Sequence, residues 1–458
     1  MTTMRYLICA FGLMLADLLA WGVTFVVAAP VNVSMPNLLV LLALWLVWFG
    51  VLRRRYERRQ PFWSELLGLV KGSGAFMALN LLASVLAAQP LQLLAHACWG
   101  LLLAVLLVLA RALTRRALSR LGLWARPAVI LGAGDNAQQA ALALRSEPGM
   151  GYSVQAFMVP PDHAPALPEG VTQRPWPQQA ADFDALRRVH CVIALEASQA
   201  ELRDHLIRQL SQHQIKSVSV IPSMRGVPLF GLETTQFFSH EVLMIHLRNN
   251  LMNPVHCWTK RVFDVVGASC LIVLLSPLML WVAYKIWRSD GAPVIFSQPR
   301  VGQGLKIFKF YKFRSMVKSA EDMLKHWEAT HSSEWQEYTA NNFKLANDPR
   351  LISIGALIRR TSIDELPQLF NVIIGDMSLV GPRPLLPREI NDYGEDVSLY
   401  GQTPPGLTGL WQVSGRSQTT FEDRVAFDIW YVKNWSIWTD ITILFKTWAV
   451  VFKRNGAY

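Results

Sequence analysis

The sequence predicts a membrane protein of combined α and α/β class. A four-helix transmembrane bundle opens the chain and a Rossmann-like α/β domain follows. A third domain is carried on a kinked, re-entrant membrane helix and has interfacial amphipathic helices. Three observations lead there. Four apolar stretches crowd into the first 112 residues. A G-x-G-x-x-A turn joins an apolar run to a helical one at Gly132, Gly134 and Ala137. A further apolar run, at about 260–288, has bases at both ends and Ser276-Pro277 in its middle. The predicted boundaries are 1–112, 113–250 and 251–458.

The apolar stretches of the bundle run near 6–28, 37–52, 70–88 and 91–110, each close to the length that crosses a bilayer. The first is too long for a signal-peptide core and more spans follow it, which argues against cleavage. RRRYERRQ (53–60) and RALTRRALSRLGLWAR (111–126) are strongly basic, whereas the loops around APVNVSMP and AAQP carry no charge. The positive-inside rule therefore places both ends of the bundle in the cytoplasm. Asp17 and Lys71 fall in or beside spans, where a buried polar contact between helices is expected. Composition agrees. The 458 residues are 52% hydrophobic with 17 tryptophans, and a formal net charge of +11 points to anionic partners. The five cysteines are scattered and form no C-x-x-C, so reduced thiols are expected rather than disulfides or zinc ligands.

In the second region PAVILGAG reads as a strand, DNAQQAALALRSE as a helix and YSVQAFMV as a second strand. Glycines at a strand-to-helix turn suit a dinucleotide phosphate on a helix N-terminus. The second strand, however, ends in VPPD without the acid that would hold a ribose, and no Y-x-x-x-K pair is present. A structural or regulatory module is the expectation. HCVIALE and KSVSVIPS supply further strands.

The third region opens with TKRVFDVVGASCLIVLLSPLMLWVAYKIWR (259–288). Lys260 and Arg261 precede it, Lys285 and Arg288 follow, and both ends prefer the cytoplasmic side. Pro277 removes a backbone donor, so a break at Ser276-Pro277 that returns the helix to the same face satisfies both facts. In SQPRVGQGLKIFKFYKFRSM (297–316) bases alternate with aromatics, as in a hairpin with one basic face. Residues 317–346 read as a polar helical insert. In RRTSIDELPQLF (359–370), Ser362 and Glu365 fit a capping box, or Asp364 is itself the cap. In either register both acids lie in the first helical turn. The helix dipole, Arg359 and Arg360 then favour their ionised forms. An ionised aspartate can attack phosphorus, and a neighbouring glutamate can hold Mg²⁺. In the tail (420–454), aromatic groups at helical spacing suit an interfacial helix, with Trp435, Trp438 and Trp448 at headgroup depth.

TSIDELPQLFNVIIGDMSLVGPRP (361–384) and PGLTGLWQVSGR (405–416) join a Q-x-R-x-G element at Gln298, Arg300 and Gly302. They also join K-F-R-S-M at Lys312, Phe313, Arg314, Ser315 and Met316. Together these resemble the catalytic domain of the bacterial polyprenyl-phosphate hexose-1-phosphate transferases, the monotopic phosphoglycosyl transferases. The resemblance covers residues 259–458, and the order of four spans, α/β insert and re-entrant helix resembles the large members that start O-antigen or capsule synthesis. It implies transfer of a hexose-1-phosphate, galactose-1-phosphate above others, from a UDP-sugar to undecaprenyl phosphate. Asp364 would be the nucleophile, and Glu365 would be catalytic and hold Mg²⁺, or Mn²⁺ in its place. Arg383 and Arg416 would clamp phosphates, Arg300 and Lys312 would add positive potential, and Arg314, Ser315 and Arg360 complete the implied phosphate-binding set. Asp376 and Asp428 are second-tier candidates for metal or nucleotide contacts. Membrane lipids and, by analogy, a second copy of the chain are the expected partners; nucleic acid is not. The expected location is the bacterial inner membrane with the catalytic domain on its cytoplasmic face. The competing functions are a sugar-nucleotide-modifying enzyme run by the glycine turn and a non-enzymatic scaffold for polysaccharide export.

Overall fold

The computed structural model describes residues 2–27, 35–52, 56, 59–86, 93–161, 172–215, 217–224, 233–236, 243–246, 250–340, 345, 348–414 and 420–452. The chain divides into two units, Met1–Arg225 and Gly226–Tyr458.

The first unit begins with the helices α1 (Thr2–Val27), α2 (Met35–Leu46), α3 (Phe62–Leu86) and α4 (Leu93–Arg120). Their shared core is aromatic: Trp45 stacks on Phe49 at 4.0 Å, and Trp21 meets Trp45, Phe76 and Trp99 edge-on at 5.7–6.0 Å. α1, α3 and α4 are long and apolar enough to cross a membrane. α2 is shorter than the expected second span and continues as a π-helical turn, Val47–Leu52. α3 begins at Phe62, before the expected residue 70, and α4 runs on to Arg120. The reason is pairing. Arg111 donates to Asp17 at 2.6 Å and to Glu65 at 2.8 Å, and Arg115 also pairs with Glu65. Trp45 Nε1 and Tyr56 Oη donate to the same Asp17 carboxylate at 3.0 and 2.7 Å. Charges that end a hydropathy run therefore do not end these helices, because neighbouring helices satisfy them. Asp17 makes the expected buried contact; Lys71 does not, and its side chain is exposed.

The same unit contains a five-stranded parallel sheet in the order β3-β2-β1-β4-β5. Its strands are β1 (Arg126–Leu131), β2 (Tyr152–Val159), β3 (Gln173–Pro175), β4 (His190–Ile193) and β5 (Val218–Val220). Alternate residues point to opposite faces and both faces are covered, so β1 reads as a continuous apolar run. Val129 and Leu131 pack under α6 (Ala180–Leu186) and α7 (Ala200–Gln212). Ile130 packs against the alanines of α5 (Asp135–Ser146).

In the second unit a hairpin, β6 (Glu233–Gln236) and β7 (Leu243–His246), precedes α8 (Pro254–Asp290). α8 is 37 residues long and apolar enough to cross a membrane. It stays helical through Pro277, where a break was expected; Ser276 Oγ donates to the Val273 carbonyl at 2.8 Å. In its N-terminal half, Ala268 joins the core formed by Leu379, Val380, Tyr431 and Trp435. Near its other end Met279, Val282 and Ile286 pack on Phe313, Ile352, Ile354 and Ile358. An antiparallel hairpin follows, β8 (Ile295–Val301) with β9 (Ile307–Phe313), and then the insert helices α9 (Ala320–Thr330) and α10 (Ser333–Ala340). α11 (Gly355–Arg360), a 3-10 turn at Ile363–Glu365 and α12 (Gln368–Ile374) lead to a parallel strand pair, β10 (Ser378–Val380) and β11 (Gly406–Thr408). α13 (Val397–Tyr400), α14 (Leu410–Ser414), α15 (Phe421–Lys433) and α16 (Ile437–Phe452) complete the unit. Trp435 is buried against Lys260 rather than placed at headgroup depth, while Trp448 is 62% exposed.

Candidate functional site

The site is built on the β8–β9 hairpin. Its register pairs Phe296 with Lys312, Gln298 with Phe310 and Arg300 with Phe308, so the period of two puts all six on one face. Lys309 falls on the opposite face, which corrects the expectation of a single basic face. Phe310 is the floor of the arrangement. The Arg300 guanidinium lies 5.4 Å and the Lys312 ammonium 5.5 Å from its ring centre.

At the Lys312 end the 3-10 turn presents the two acids. Lys312 Nζ is 2.8 Å from Glu365 and 3.8 Å from Asp364. The turn is not the capping box that the sequence suggested. Ser362 adopts φ 56°, in the left-handed region, and makes no side-chain cap. Pro367, at the N-cap of α12, separates both acids from that helix. Asp364 is buried, whereas Glu365 is about one-third exposed. Burial is the largest influence on Asp364 and raises its pKa above the ordinary carboxylate value. Lys312 and Arg359 oppose that rise and Glu365 adds to it. The expectation that the surroundings simply favour the charged form is thus corrected: desolvation wins over the cations.

At the Arg300 end the G-P-R-P segment crosses the hairpin. Val301 N donates to the Leu385 carbonyl at 2.9 Å, and Arg300 donates to the Pro384 carbonyl at 3.1 Å. Tyr400 Oη donates to the carbonyls of Val301 and Arg383 at 2.9 and 3.1 Å, tying strand to segment. Asp428, on α15, accepts from the Arg383 amide at 3.1 Å and from Tyr393 Oη at 2.8 Å through one oxygen, and its other oxygen is buried without a partner. Burial pushes the Asp428 carboxyl up to about 7. Asp428 thus touches the backbone that carries Arg383 and meets no cation head-on. The Arg383 guanidinium makes no hydrogen bond to the protein among the described residues. It lies 5.6 Å from the Trp411 ring centre, with the Arg424 guanidinium 5.3 Å from the same centre. Burial and the nearby Arg383 and Arg388 hold the Arg300 pKa below its usual value, with Glu389 opposing.

The remaining predicted residues divide. Arg314 is spent on the end of α8: it pairs with the Asp290 carboxylate and donates to the carbonyls of Pro293 and Gly291 at 2.7 and 2.6 Å. That set leaves little of the guanidinium for a phosphate. Ser315 Oγ accepts from Arg359 Nε at 2.9 Å, so Ser315 orients an arginine. Arg360 is exposed. Asp376 lies beyond the far end of α12 from Glu365, roughly 10 Å away along seven residues of helix. It is therefore not brought to the acid pair. Arg416 lies outside the described residues. Sequence reasoning named Arg359 beside the acids but missed Trp411, Arg424 and Tyr400 as parts of the site. Arg359 carried a signal, a base five residues before Asp364; Tyr400 carried none, because its role depends on a contact with residues a hundred positions away.

Among the described residues no group of three or more His, Cys, Asp or Glu side chains comes together to hold a metal. Mg²⁺ needs less than that, since it binds through one or two carboxylates and completes its shell with substrate phosphates and water. Asp364 and Glu365, adjacent on one turn with Glu365 partly open, fit that requirement. Taken together, a buried carboxylate, a second acid, and cations running from Lys312 past Phe310 to Arg300 and Arg383 suit a phosphoryl group attacked by oxygen.

Comparison with known proteins agrees with this chemistry. Residues 255–454 match the family described as bacterial sugar transferase. An undecaprenyl-phosphate galactose phosphotransferase of Salmonella typhimurium is 42% identical over 90% of this chain and 86% of its own length. A UDP-galactose-lipid carrier transferase of Erwinia amylovora is 44% identical, with the same coverage of both chains. A UDP-glucose:undecaprenyl-phosphate glucose-1-phosphate transferase of Escherichia coli K12 is 31% identical over 69% of this chain and 65% of its own. The chain belongs to the bacterial sugar transferase family.

Proposed function

We propose that this chain transfers galactose-1-phosphate from UDP-galactose to undecaprenyl phosphate. The products are UMP and undecaprenyl-diphosphate-galactose, at the first membrane step of O-antigen, capsule or exopolysaccharide assembly. The observation that carries the reading is Asp364: a buried carboxylate 3.8 Å from Lys312, beside Glu365, at one end of a lane of cations. The galactosyl substrate is supported by the names of the Salmonella and Erwinia relatives, at 42 and 44% identity over most of the chain.

In the first step an Asp364 carboxylate oxygen bonds to the sugar-bearing phosphorus as the bond from that phosphorus to the UMP oxygen breaks. UMP leaves and the phosphosugar stays on the enzyme. In the second step an oxygen of the lipid phosphate attacks the same phosphorus and displaces the Asp364 carboxylate. Splitting the transfer in two lets a water-soluble donor and a lipid acceptor use one nucleophile in turn. Lys312 holds Asp364 toward its charged form. Arg300 and Arg383 supply positive charge for the phosphate oxygens, and the backbone bonds of Asp428 and Tyr400 fix Arg383. Mg²⁺, held by Glu365 and Asp364, would neutralise charge that develops on the phosphate oxygens.

The membrane placement belongs to the same proposal. The catalytic unit holds α8 at Lys260 through Asp440 and at Asp290 through Arg314, and packs against the middle of the helix on one side only: Leu271, Ile272, Leu275 and Leu278 join its cores, whereas Val273 and Leu274 are 74 and 73% exposed. That pattern supports a helix that enters the inner membrane and returns to the cytoplasmic face. The parallel sheet and its helices, Arg126 to Val220, form a Rossmann-like module of structural or regulatory role, and residues 251–458 the catalytic domain.

UMP release measured across UDP-galactose, UDP-glucose and N-acetylated donors, with and without undecaprenyl phosphate, tests the reading. UDP-galactose should be the preferred donor, and labelled phosphosugar should accumulate on the enzyme when the acceptor is withheld. Asp364→Asn should abolish both turnover and labelling. A fully active Asp364→Asn enzyme rules the mechanism out, and preference for another donor rules out the sugar. Chelation of divalent metal should stop turnover, and undiminished rates in chelator remove the metal from the scheme.

A further inference from the structure

The ligand seat of the parallel sheet is already filled, and the protein fills it. In the order β3-β2-β1-β4-β5 the connections reverse between β1 and β4. In open α/β sheets that reversal, at the carboxyl ends of the strands, is where a ligand binds. Gly132, Ala133 and Gly134 lead from β1 into α5, and Gly134, as the N-cap, has no side chain to satisfy the first amides of the helix. Glu196, three residues beyond β4, does so instead. Its Oε1 accepts from the Asn136 amide at 2.7 Å. A Cβ placed on Gly134 would lie 2.5 Å from that oxygen, so the second glycine of the motif makes room for a carboxylate.

Other bonds close the mouth around it. The Glu196 amide donates to Gln199 Oε1 at 3.0 Å, which fixes the residue that carries the carboxylate. Asn136 Nδ2 donates to the carbonyls of Leu195 and Ile221 at 3.0 and 2.9 Å, bridging the chain beyond β4 to that beyond β5. A nucleotide pyrophosphate would need the same amide and the same space. The lack of an acid at the tip of β2, where Val159 runs into Pro160 and Pro161, is consistent: with no phosphate bound there is no ribose to hold.

We infer that Glu196 is an internal anion in the phosphate seat of the α/β module, so the glycine turn is capped by the chain's own carboxylate in place of a nucleotide. The carboxylate does there what a phosphate does at a helix N-terminus, accepting a free amide and meeting the positive end of the dipole. The inference does not depend on the reaction proposed for the other unit.

Hydrogen exchange of peptides covering residues 132–141, in the full-length protein in nanodiscs, tests it locally, so ligand binding at the catalytic unit does not enter the readout. In the wild type these amides should be protected, and neither inorganic pyrophosphate nor NAD should slow their exchange further. Glu196→Ala should speed exchange about fivefold, the usual scale for loss of a helix cap, and inorganic pyrophosphate should slow it again by filling the vacated seat. Should Glu196→Ala not fold, Glu196→Ser, which also withdraws the carboxylate from the seat, is read in the same way. Slowing of the wild-type peptide by pyrophosphate or NAD would overturn the inference. So would a variant that exchanges like the wild type, or one whose faster exchange pyrophosphate leaves unchanged.

Discussion

Asp364 is pulled two ways: burial raises its pKa, and Lys312 is the strongest influence lowering it. In the proposed mechanism the nucleophile must be ionised, so activity should fall as pH drops through that raised pKa. Lys312→Met removes the opposing charge and should move the acid limb of the UMP-release profile to higher pH. It should also cost on the order of 10²-fold in turnover, the scale of one lost electrostatic group. An unmoved acid limb would separate Lys312 from Asp364. Asp428 carries the opposite lesson. Its carboxyl is pushed from the usual acid range to about 7 by burial, so the fold favours its neutral form. Stability from this group is complete below the unfolded pKa of about 3.9 and is lost as pH rises through about 7. Asp428→Asn keeps an acceptor for Arg383 N and Tyr393 Oη without the charge. It should therefore unfold at higher denaturant than wild type at pH 8, with the advantage shrinking as pH falls below about 7 and gone by about pH 4. The sequence made Asp364 visible but not its desolvation, because the cover comes from afar: Ile363 and Leu366 pack into the cluster that holds Val282 and Ile286 of α8.

Among the elements, those with a clean period were legible. The alternation of β9, the apolar run of β1 and the long apolar stretch of α8 each follow one rule of side-chain spacing. Helix ends were not, because Glu65, Arg111 and Arg115 are satisfied by partners on other helices and so prolong α3 and α4. Arg314 and Arg359 show the same limit within the site. Both are bases near a phosphate motif, yet one closes α8 and the other reaches Ser315 beside the acids, a distinction set by tertiary position alone. α8 is anchored by a buried cluster in which Lys260 Nζ lies 2.7 Å from Asp440 and donates to the Val380 carbonyl at 3.0 Å. Tyr431 Oη and Trp435 Nε1 also donate to Asp440, at 2.7 and 3.2 Å. Lys260→Met leaves a buried carboxylate without its cation and should cost about 3–5 kcal/mol. Lys260→Met with Asp440→Asn should cost less than Lys260→Met alone, because Asp264, 3.8 Å from Lys260, is then the one acid of the cluster left without its cation. Denaturant unfolding in nanodiscs measures both, and a double variant no better than Lys260→Met would show that the pair is not coupled.

For the whole molecule, the proposed re-entrant course of α8 turns on whether its two ends lie on one side of the membrane. At 37 residues, α8 would reach about 55 Å if straight, more than one crossing of the hydrocarbon core requires. Its two ends are nevertheless held by one folded unit, at Lys260 through Asp440 and Val380 and at Asp290 through Arg314. A unit that grips both ends cannot leave one of them on the far face without crossing the bilayer itself, and its charged, hydrogen-bonded interior forbids that. The bases Lys260, Arg261, Lys285 and Arg288 at the two ends add the same preference. Val255 and Arg288 are exposed near opposite ends and accept single cysteines once Cys9, Cys98, Cys191, Cys257 and Cys270 are replaced. A membrane-impermeant maleimide should modify both positions in inside-out vesicles and neither in right-side-out ones. Modification of Val255→Cys and Arg288→Cys from opposite sides would make α8 an ordinary span. It would also part the two anchors that hold α8 to a single folded unit.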